Sequence, residues 1–359
     1  MSKILYVVPN LDEVGGIQNF AVNIHTALKE DFDIELINWK RRSWNLPTKV
    51  MLETNLFFSP ILNGGFKVIK EKVRGADLVH FWYPDIARPF IDTRNYIISC
   101  HGKELLSTNM SYFQRRDYQK IFKRAKAVHV NSNYTKNLVL DLFDVPEEKI
   151  RVINPPIDYN KFKKFALKNR NTGKNDKYIV GTLTRFVRRK NIPNTIKALN
   201  ILKERYDLNF EYYIAGDGID KKRIMDELQK AKFEWKYFGE ISEEKKIKEF
   251  YPSLDVFIMP TLDLPNDIEG FGIVYLEANA FGIPVIASKT GGVPEAVKEG
   301  VSGEFADPTN AEEIAEKIMS LAERKNELRE KCKNHARKFD VKRISKHFEE
   351  LYENVMLYG

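Results

Sequence analysis

The chain has 359 residues, enough for two domains, and 43% of them are hydrophobic, so each domain can bury a core. Its net charge of +8 indicates an anionic partner (a phosphate-bearing ligand, nucleic acid or an anionic membrane) or simply a lysine-rich surface. Two cysteines, Cys100 and Cys332, argue against a disulfide scaffold, and no segment approaches the ~20 apolar residues of a membrane span. The apolar run at the start is too short for a signal peptide. We expect a cytoplasmic protein, soluble or peripheral at the inner face of the plasma membrane.

Apolar runs alternate with helical patterns in the first half of the chain. Ile4–Val8 is the first predicted strand, and a helix is predicted over Ile17–Leu28 after a Gly-Gly turn. The further predicted strands are Ile34–Asn38, Leu78–Phe81, Tyr96–Ser99 and Ala127–Val130. Apolar strands that alternate with helices are typical of a parallel sheet covered on both faces. The pattern predicts an N-terminal Rossmann-like domain over residues 1–160.

A polar stretch over 154–177 is predicted to be an interdomain linker, and a second alternating series follows it. The predicted strands are Tyr178–Thr182, Phe210–Ala215, Val256–Met259 and Val285–Ala287. The predicted helices are Asn194–Lys203, Lys221–Lys230, Gly272–Phe281 and Ala311–Arg324. We expect a second Rossmann-like domain over 175–338, and a closing segment over 339–359 whose helix, Lys342–Val355, has one apolar face.

Two segments mix apolar or aromatic residues with basic ones. Met51–Lys70 is either a loop that touches a membrane or, as we favour, a helix–loop–helix packed on the sheet. Tyr112–Lys126 carries six basic residues. It either lies on an anionic membrane beside a lipid-linked acceptor or is an ordinary surface helix, and the sequence leaves both interpretations open.

The strongest chemical signal is the string EGFGIVYLE, in which Glu269 and Glu277 stand eight positions apart. Its glycines let backbone N–H groups approach a ligand, and a helix N-terminus favours phosphate. Glu269 is predicted to accept hydrogen bonds from sugar hydroxyls, and Glu277, two turns into the helix, to bind a ribose diol. An acidic helix start and a solvated glutamate are the alternative. The predicted donor-binding residues of the string are Gly270, Phe271, Gly272, Ile273, Val274 and Glu277.

A basic loop follows the predicted strand that begins the second half. Arg185, as a bidentate fork, and Lys190, as a point charge, are predicted to converge on a pyrophosphate. Arg188 and Arg189, which lie between them, are interpreted as part of a solvated surface.

Other candidate residues follow predicted strands, where open α/β sheets bind ligands. Gly15 and Gly16 form the first strand-to-helix turn, where backbone amides can meet a phosphate. His101 is a candidate hydrogen-bond partner of a transferred sugar. Gly216 lies in a turn after a strand, and Gly239 follows a phenylalanine suited to the floor of a nucleobase site.

No histidine–carboxylate or cysteine group has metal-ligand spacing, and no metal is predicted. Asp31-Phe-Asp33 has a D-x-D spacing but is expected on the side of the sheet away from ligands. His80 and His129 lie in strand runs and are expected in the core.

These residues resemble the retaining glycosyltransferase family 4, which has the GT-B fold, over essentially the whole chain. The Glu269–Glu277 string is specific, and Gly16, His101, Arg185 and Lys190 match in the right order. The resemblance implies two Rossmann-like domains that face each other across a cleft, with the last helix crossing back to the N-terminal domain.

Two positions depart from the family pattern. Gln18 replaces an acidic residue that is common after the Gly-Gly-x turn, and Asn191 replaces the glycine of the usual Lys-Gly pair.

The resemblance implies transfer of a hexose, with retention, from a UDP- or GDP-sugar to a glycan, lipid-linked or other hydroxyl acceptor in cell-surface polysaccharide or glycoconjugate synthesis. It implies His101, Arg185, Lys190 and Glu269 as the catalytic set. Cations and helix N-termini stabilise the leaving diphosphate without a metal. No carboxylate nucleophile is evident, so we expect attack from the front face, with the leaving phosphate taking the proton of the acceptor.

Three other functions fit parts of the sequence. A GT-B epimerase or hydrolase would act on the nucleotide sugar without an acceptor. A non-catalytic nucleotide-sugar-binding protein is disfavoured by the intact set of two glutamates, an arginine and a lysine. Nucleic-acid binding is disfavoured because the positive charge is spread along the chain without a recognised motif.

Overall fold

The computed structural model describes residues 2–12, 15–39, 65–168 and 177–358. The chain divides into two compact units, one formed by Met1–Pro156 with Val341–Gly359 and the other by Ile157–Asp340. Most of the predicted segment Met51–Lys70 lies outside the described residues, and its last six residues begin a helix.

A six-stranded parallel sheet with the order β2-β1-β3-β4-β5-β6 forms the centre of the first unit. Its strands are β1 (Lys3–Pro9), β2 (Asp33–Trp39), β3 (Leu78–Phe81), β4 (Tyr96–Cys100), β5 (Ala127–Val130) and β6 (Ile150–Val152). Its helices before the interdomain segment are α1 (Gly16–Leu28), α2 (Gly65–Gly75), α3 (Pro84–Ala87), α4 (Tyr112–Arg124) and α5 (Asn133–Leu142).

Both faces of this sheet are buried, which explains the uninterrupted apolar runs of the sequence. Leu5 and Val7 of β1 belong to the core on one face, and Ile4, Tyr6 and Val8 belong to the core on the other. All five predicted strands are present. The sixth, β6, was not predicted because it has three residues, one of them an exposed arginine.

The second unit contains another six-stranded parallel sheet, with the order β12-β11-β10-β7-β8-β9. Its strands are β7 (Tyr178–Leu183), β8 (Phe210–Ala215), β9 (Glu234–Tyr237), β10 (Val256–Ile258), β11 (Val285–Ala287) and β12 (Gly303–Phe305). Its helices are α6 (Tyr159–Lys168), α7 (Ile192–Arg205), α8 (Lys221–Leu228), α9 (Glu243–Lys245), α10 (Ile273–Ala280), α11 (Val293–Ala296) and α12 (Ala311–Ala336). The strand order reverses between β7 and β10, and such a switch point is where doubly wound sheets bind ligands.

Three expectations for the second half need correction. The linker prediction over 154–177 is wrong for Tyr159–Lys168, which is helical and packs Tyr159 and Phe162 into the core. The strands β9 and β12 were not predicted, because β9 is an edge strand with two exposed residues and β12 has only three residues. The helix that begins at Ala311 continues to Ala336 rather than ending at Arg324.

The last helix, α13 (Val341–Tyr358), belongs to the first unit and packs beside α1. Its apolar stripe joins the core on one face of the first sheet. The buried residues of that stripe are Ile344, Phe348, Leu351, Tyr352 and Val355.

A chain of buried hydrogen bonds also ties α13 to the sheet. It runs through Tyr6, Tyr352, His80, Ser99, His129 and the carbonyl oxygen of Ile153. The successive distances between the bonded atoms are 2.6, 2.8, 2.6, 2.7 and 2.9 Å. The five side chains are fully buried, which confirms the expected core positions of His80 and His129.

The donor and the acceptor of every hydrogen bond in this series can be assigned. Burial lowers the pKa of His129 to about 3 and also lowers the pKa of His80, so both rings are neutral near pH 7. A carbonyl oxygen can only accept, so His129 donates to Ile153 and must accept from Ser99. Because the Ser99 hydroxyl donates to His129, it accepts from Nε2 of His80. Nδ1 of the neutral His80 ring is then an acceptor, and the hydroxyl of Tyr352 donates to it.

Replacing Tyr352 by phenylalanine should lower the free energy of unfolding by at least about 2 kcal/mol, because two buried polar groups each lose a partner. The groups are the hydroxyl of Tyr6 and Nδ1 of His80. Urea denaturation followed by tryptophan fluorescence measures the change. The matched control is Tyr112→Phe, since Tyr112 is 77% exposed. Equal destabilisation by both variants would contradict this account.

Candidate functional site

Lys190 lies at the switch point of the second sheet, in the loop between β7 and α7. Its Nζ lies 3.3 Å from Sδ of Met259, the residue that follows β10. The side chain therefore reaches across the two strands between which the order reverses. Lys190 is only 7% exposed, so its charge is largely removed from water.

Glu269 meets two cations in this position. Its Oε2 accepts hydrogen bonds from Lys190 Nζ, at 2.5 Å, and from Arg189. Arg189 also places Nε 3.3 Å from Oδ1 of Asp267. Two cations and two carboxylates thus form one cluster. In the described part of the chain no hydrogen-bond partner reaches Oε1 of Glu269, whose side chain is 14% exposed.

The cluster changes the pKa of both of its central groups. Burial by itself raises the pKa of Glu269, but Lys190 and Arg189 outweigh burial and bring that pKa to about 2. For Lys190, burial and the repulsion of Arg189 and Arg185 outweigh the attraction of Glu269 and lower the pKa to about 8. Glu269 is therefore a carboxylate at neutral pH, and Lys190 remains mostly charged.

The interpretation of Arg189 as a solvated residue is wrong. The short 3₁₀ helix Arg188–Lys190 turns Arg189 and Lys190 inward and leaves Arg188 exposed. Arg189 is 4% exposed because its side chain turns inward to two carboxylates. Those carboxylates belong to residues about 80 positions further along the sequence. Arg185 is exposed but close enough to affect the pKa of Lys190, and its predicted role at a pyrophosphate stays a prediction.

Glu277 is buried, so the alternative of a solvated glutamate is wrong for it. It is the fifth residue of α10, one turn from its start rather than two. Its Oε1 accepts from Nζ of Lys246 at 2.8 Å, and its Oε2 accepts from the hydroxyl of Tyr251 at 2.7 Å. The sequence analysis missed both partners, which precede β10. Each carboxylate oxygen has two acceptor positions, so the predicted contact with a ribose diol stays open as a prediction.

The glycine turn before α10 brings this helix to the cluster. Gly272, with a φ of +90°, is the residue from which the helix starts. Gly270, Ile273 and Val274 are partly exposed. Phe271 is buried in the core of the second unit, and its predicted contact with the donor stays a prediction.

The glycine turn at 291–292 packs directly on Glu269. A Cβ atom at Gly291 would lie 2.2 Å from the backbone oxygen of Glu269, and the amide of Gly292 donates to the same oxygen at 2.9 Å. These glycines therefore hold the backbone of Glu269 in place.

Gly216 and Gly239 lie side by side after β8 and β9. The amide of Gly216 donates to the carbonyl of Gly239 at 2.8 Å. The phenylalanine before Gly239 is partly buried, and the ammonium of Lys236 lies 4.9 Å from the centre of its ring. The predicted contact of this turn with a nucleobase remains a prediction.

The remaining candidates belong to the first unit. Gly15 caps α1, a helix of 13 residues with no acidic residue in its first turn, and Gly16 is exposed at its start. His101 follows β4, and its Nε2 lies 3.0 Å from the carbonyl oxygen of Trp82. Burial lowers the pKa of His101 to about 4, so the ring is neutral, donates from Nε2 and leaves Nδ1 as an acceptor. The ring of His101 lies 6.4 Å from that of Phe20 on α1.

Glu104, three residues after His101, was not assigned a role from the sequence. Its carboxylate accepts a hydrogen bond from the backbone N–H of His101. Burial raises the pKa of Glu104 to about 7. Glu104 therefore helps to fix the loop that carries His101.

Among the described residues, no group of three or more histidine, cysteine, aspartate or glutamate side chains could hold a metal ion. No helix in the described ranges is long and apolar enough to pass through a bilayer.

Two protein families match the chain. Residues 163–339 match Glycosyl transferases group 1, and residues 14–161 match Glycosyltransferase Family 4. Together they leave few residues unmatched. This chain belongs to the GT-B glycosyltransferases of the family 4 type. Its two six-stranded parallel sheets confirm the predicted fold class.

Individual relatives of this family 4 chain share part of its length. A GDP-mannose-dependent alpha-(1-6)-phosphatidylinositol monomannoside mannosyltransferase of Mycolicibacterium smegmatis is 30% identical over 236 residues, which are 64% of this chain and 61% of that protein. The amylovoran biosynthesis glycosyltransferase AmsK of Erwinia amylovora is 26% identical over 226 residues, 62% of this chain and 54% of that protein. The chain thus spans between 54% and 61% of the length of these two curated relatives.

A solved structure matches the whole fold. HepE of Anabaena, crystallised in complex with UDP and glucose, has a TM-score of 0.76 and 18% identity, and the match covers 99% of this chain and 100% of HepE.

The structure accounts for both departures of this chain from the family 4 pattern. Asn191 is left-handed, with a φ of +54°, a conformation that glycine adopts freely and asparagine tolerates. Its side-chain amide donates to the carbonyls of Pro260, at 3.2 Å, and Pro308, at 2.6 Å. The amide of Gln18 donates to the carbonyl of Pro9 at 2.8 Å, a bond that a carboxylate could not make.

Proposed function

We propose that this chain is a retaining glycosyltransferase that moves a hexose from a UDP- or GDP-sugar to a hydroxyl group of a glycan or lipid-linked acceptor. The observation that carries the proposal is the largely buried ion pair of Lys190 and Glu269 at the switch point of the second sheet. The pair supplies a cation for a diphosphate and a carboxylate for sugar hydroxyls side by side. Family membership supports the same reaction class.

The relatives support the range of donors and products in this proposal. The mycolicibacterial relative is named for GDP-mannose, and HepE was crystallised with UDP and glucose. AmsK is named for amylovoran biosynthesis, which supports a role of this chain in a cell-surface polysaccharide or glycoconjugate.

The proposed reaction places negative charge on the leaving diphosphate as the bond to the sugar breaks. Lys190 and Arg185, both in the second unit, offset that charge. Oε1 of Glu269, which no described residue engages, accepts hydrogen bonds from the hydroxyls of the transferred sugar. We expect no divalent metal, because protein cations take its electrostatic role.

In this proposal the anomeric configuration of the sugar is retained without a nucleophile from the protein. Two cations engage Oε2 of Glu269, and because the carboxylate charge is delocalised they lower the nucleophilicity of the whole group, Oε1 included. We therefore propose that the acceptor hydroxyl attacks from the face that the leaving group departs from and gives its proton to the departing phosphate.

The donor and the role of Lys190 can be tested in one experiment. Thermal-shift measurements with UDP-glucose, UDP-N-acetylglucosamine, ADP-glucose, TDP-glucose and GDP-mannose should show stabilisation by a UDP- or GDP-sugar that persists in EDTA. Lys190→Met should remove the shift, because the cation beside the diphosphate is lost. Lys197→Met, an exposed lysine on the next helix, is the matched control.

Each contrary outcome contradicts a defined part of the proposal. No shift with any donor would contradict nucleotide-sugar binding, and a shift lost in EDTA would contradict metal independence. With the donor identified, product analysis with and without a glycan extract separates transfer from the alternatives. Hydrolysis or epimerisation without acceptor would favour those reactions, and binding without any product would favour a non-catalytic protein.

The pH dependence should report on Lys190. Its pKa of about 8 in the free protein predicts that kcat/KM falls as pH rises through that value, because the neutral amine no longer attracts the diphosphate. In Lys190→Arg the alkaline limb should disappear, since an arginine stays protonated. An unchanged limb in that variant would mean that another group titrates.

We also propose that α4 contacts an anionic membrane surface on the cytoplasmic side. The structure packs Tyr118, Ile121 and Phe122 in the core, as an ordinary surface helix does. Tyr112 and Phe113 remain 77% and 48% exposed beside basic residues of the same helix. This arrangement suits insertion of two rings into a headgroup layer that the basic residues attract.

Vesicle flotation tests this contact. At low salt the protein should float with phosphatidylglycerol vesicles but not with phosphatidylcholine vesicles, and the double variant Tyr112→Ala, Phe113→Ala should float several-fold less. Val22→Ala, another exposed apolar position of the first unit, is the control. Absence of flotation for the wild-type chain at low salt would refute the membrane contact.

A further inference from the structure

Arg189 and Asp267 do not belong to the motifs by which this sequence resembles the family. In the structure, Arg189 contacts Glu269 of the central ion pair, and Asp267 contacts Arg189. We propose that they are positioning residues, which hold Glu269 by Oε2 so that its Oε1 is presented to the transferred sugar. This inference rests on the proposed function and names two further residues of the same site.

The geometry of Arg189 supports a holding role. Its guanidinium group spans two carboxylates, with one terminal nitrogen on Oε2 of Glu269 and Nε 3.3 Å from Oδ1 of Asp267. Its backbone carbonyl accepts a hydrogen bond from the amide of Leu262 at 2.8 Å. Both the side chain and the backbone of Arg189 thus bind the segment that leads from β10 to α10.

Burial argues against direct contact of Arg189 with the donor. The residue is 4% exposed, and its charge is compensated by the two carboxylates. Its neighbour Arg188 is exposed instead. A residue that bound the diphosphate would have to turn away from both carboxylates and leave them without their arginine.

Charge balance explains why a second cation is needed. Without donor, Lys190 and Arg189 share Oε2 of Glu269. When Lys190 is drawn to an anionic diphosphate, its hold on Glu269 weakens, and a largely buried carboxylate cannot remain without a cation at low cost. Arg189 then keeps Glu269 ionised and oriented, and Asp267 keeps Arg189 in place.

The role predicts a split between sugar recognition and diphosphate recognition. In Arg189→Met, calorimetric titration should show about tenfold or greater loss of affinity for the nucleotide sugar, UDP-glucose or GDP-mannose, because the contact from Glu269 to the sugar is lost. Affinity for free UDP or GDP should stay within about twofold, since Lys190 still meets the diphosphate. Arg188→Met is the matched control and should change neither affinity.

Two further variants complete the test. Lys190→Met should weaken both the nucleotide sugar and the free diphosphate. Asp267→Asn keeps Arg189 and should weaken only the nucleotide sugar, and it serves in place of Arg189→Met if that variant does not fold. The alkaline limb of kcat/KM should also move to higher pH in Arg189→Met, because the charge of Arg189 lowers the pKa of Lys190.

The outcomes are separable. Unchanged affinity for the nucleotide sugar in folded Arg189→Met or Asp267→Asn would overturn the positioning role while leaving the proposed function in place. An equal loss for sugar and diphosphate would also overturn it, because that pattern belongs to a direct phosphate ligand. Failure of the wild-type chain to bind either nucleotide sugar would overturn the proposed function, and this inference with it.

Discussion

The site of the second unit depends on one largely buried ion pair, in which Nζ of Lys190 and Oε2 of Glu269 lie 2.5 Å apart. A cation and a carboxylate that are largely removed from water are stable together when each compensates the charge of the other. That requirement ties the loop after β7 to the segment after β10, on the two sides of the switch point. The glycine turn that supports Glu269 and the asparagine that anchors the start of α7 follow from the same need to bring these loops together.

The first unit meets a similar constraint without charges. Five buried side chains between β1 and α13 are linked by a continuous series of hydrogen bonds. The series ends at the backbone carbonyl of Ile153. Burial keeps both histidines neutral, so each ring has one donor and one acceptor nitrogen and the direction of every hydrogen bond is set. This series of hydrogen bonds fixes the register of the last helix on the sheet more specifically than the apolar stripe of the helix does alone. A shift of α13 would leave several polar groups without partners.

Much of the fold was accessible from the sequence. Continuous apolar runs located five strands of the first sheet and four of the second, because central parallel strands are buried on both faces. The strands that were missed are short or lie at sheet edges, where burial imposes little pattern. The sequence of the helix Tyr159–Lys168 is typical of a linker because five of its ten residues are lysine or asparagine. At the site, the sequence identified Lys190 and Glu269 but not Arg189, Asp267, Lys246 or Tyr251.

The sequence by itself determined the class of sheet, the family and the chemical types that a nucleotide sugar would need, because these depend on local periodicity and on motifs within about ten residues. The tertiary structure alone decided which charges are buried together. Arg189 and Arg188 are indistinguishable neighbours in the sequence, and only the position of two carboxylates about 80 residues away makes one an internal ion-pair partner and leaves the other in water. Electrostatic energies depend on distance and burial in space, and neither quantity is encoded in the order of adjacent residues.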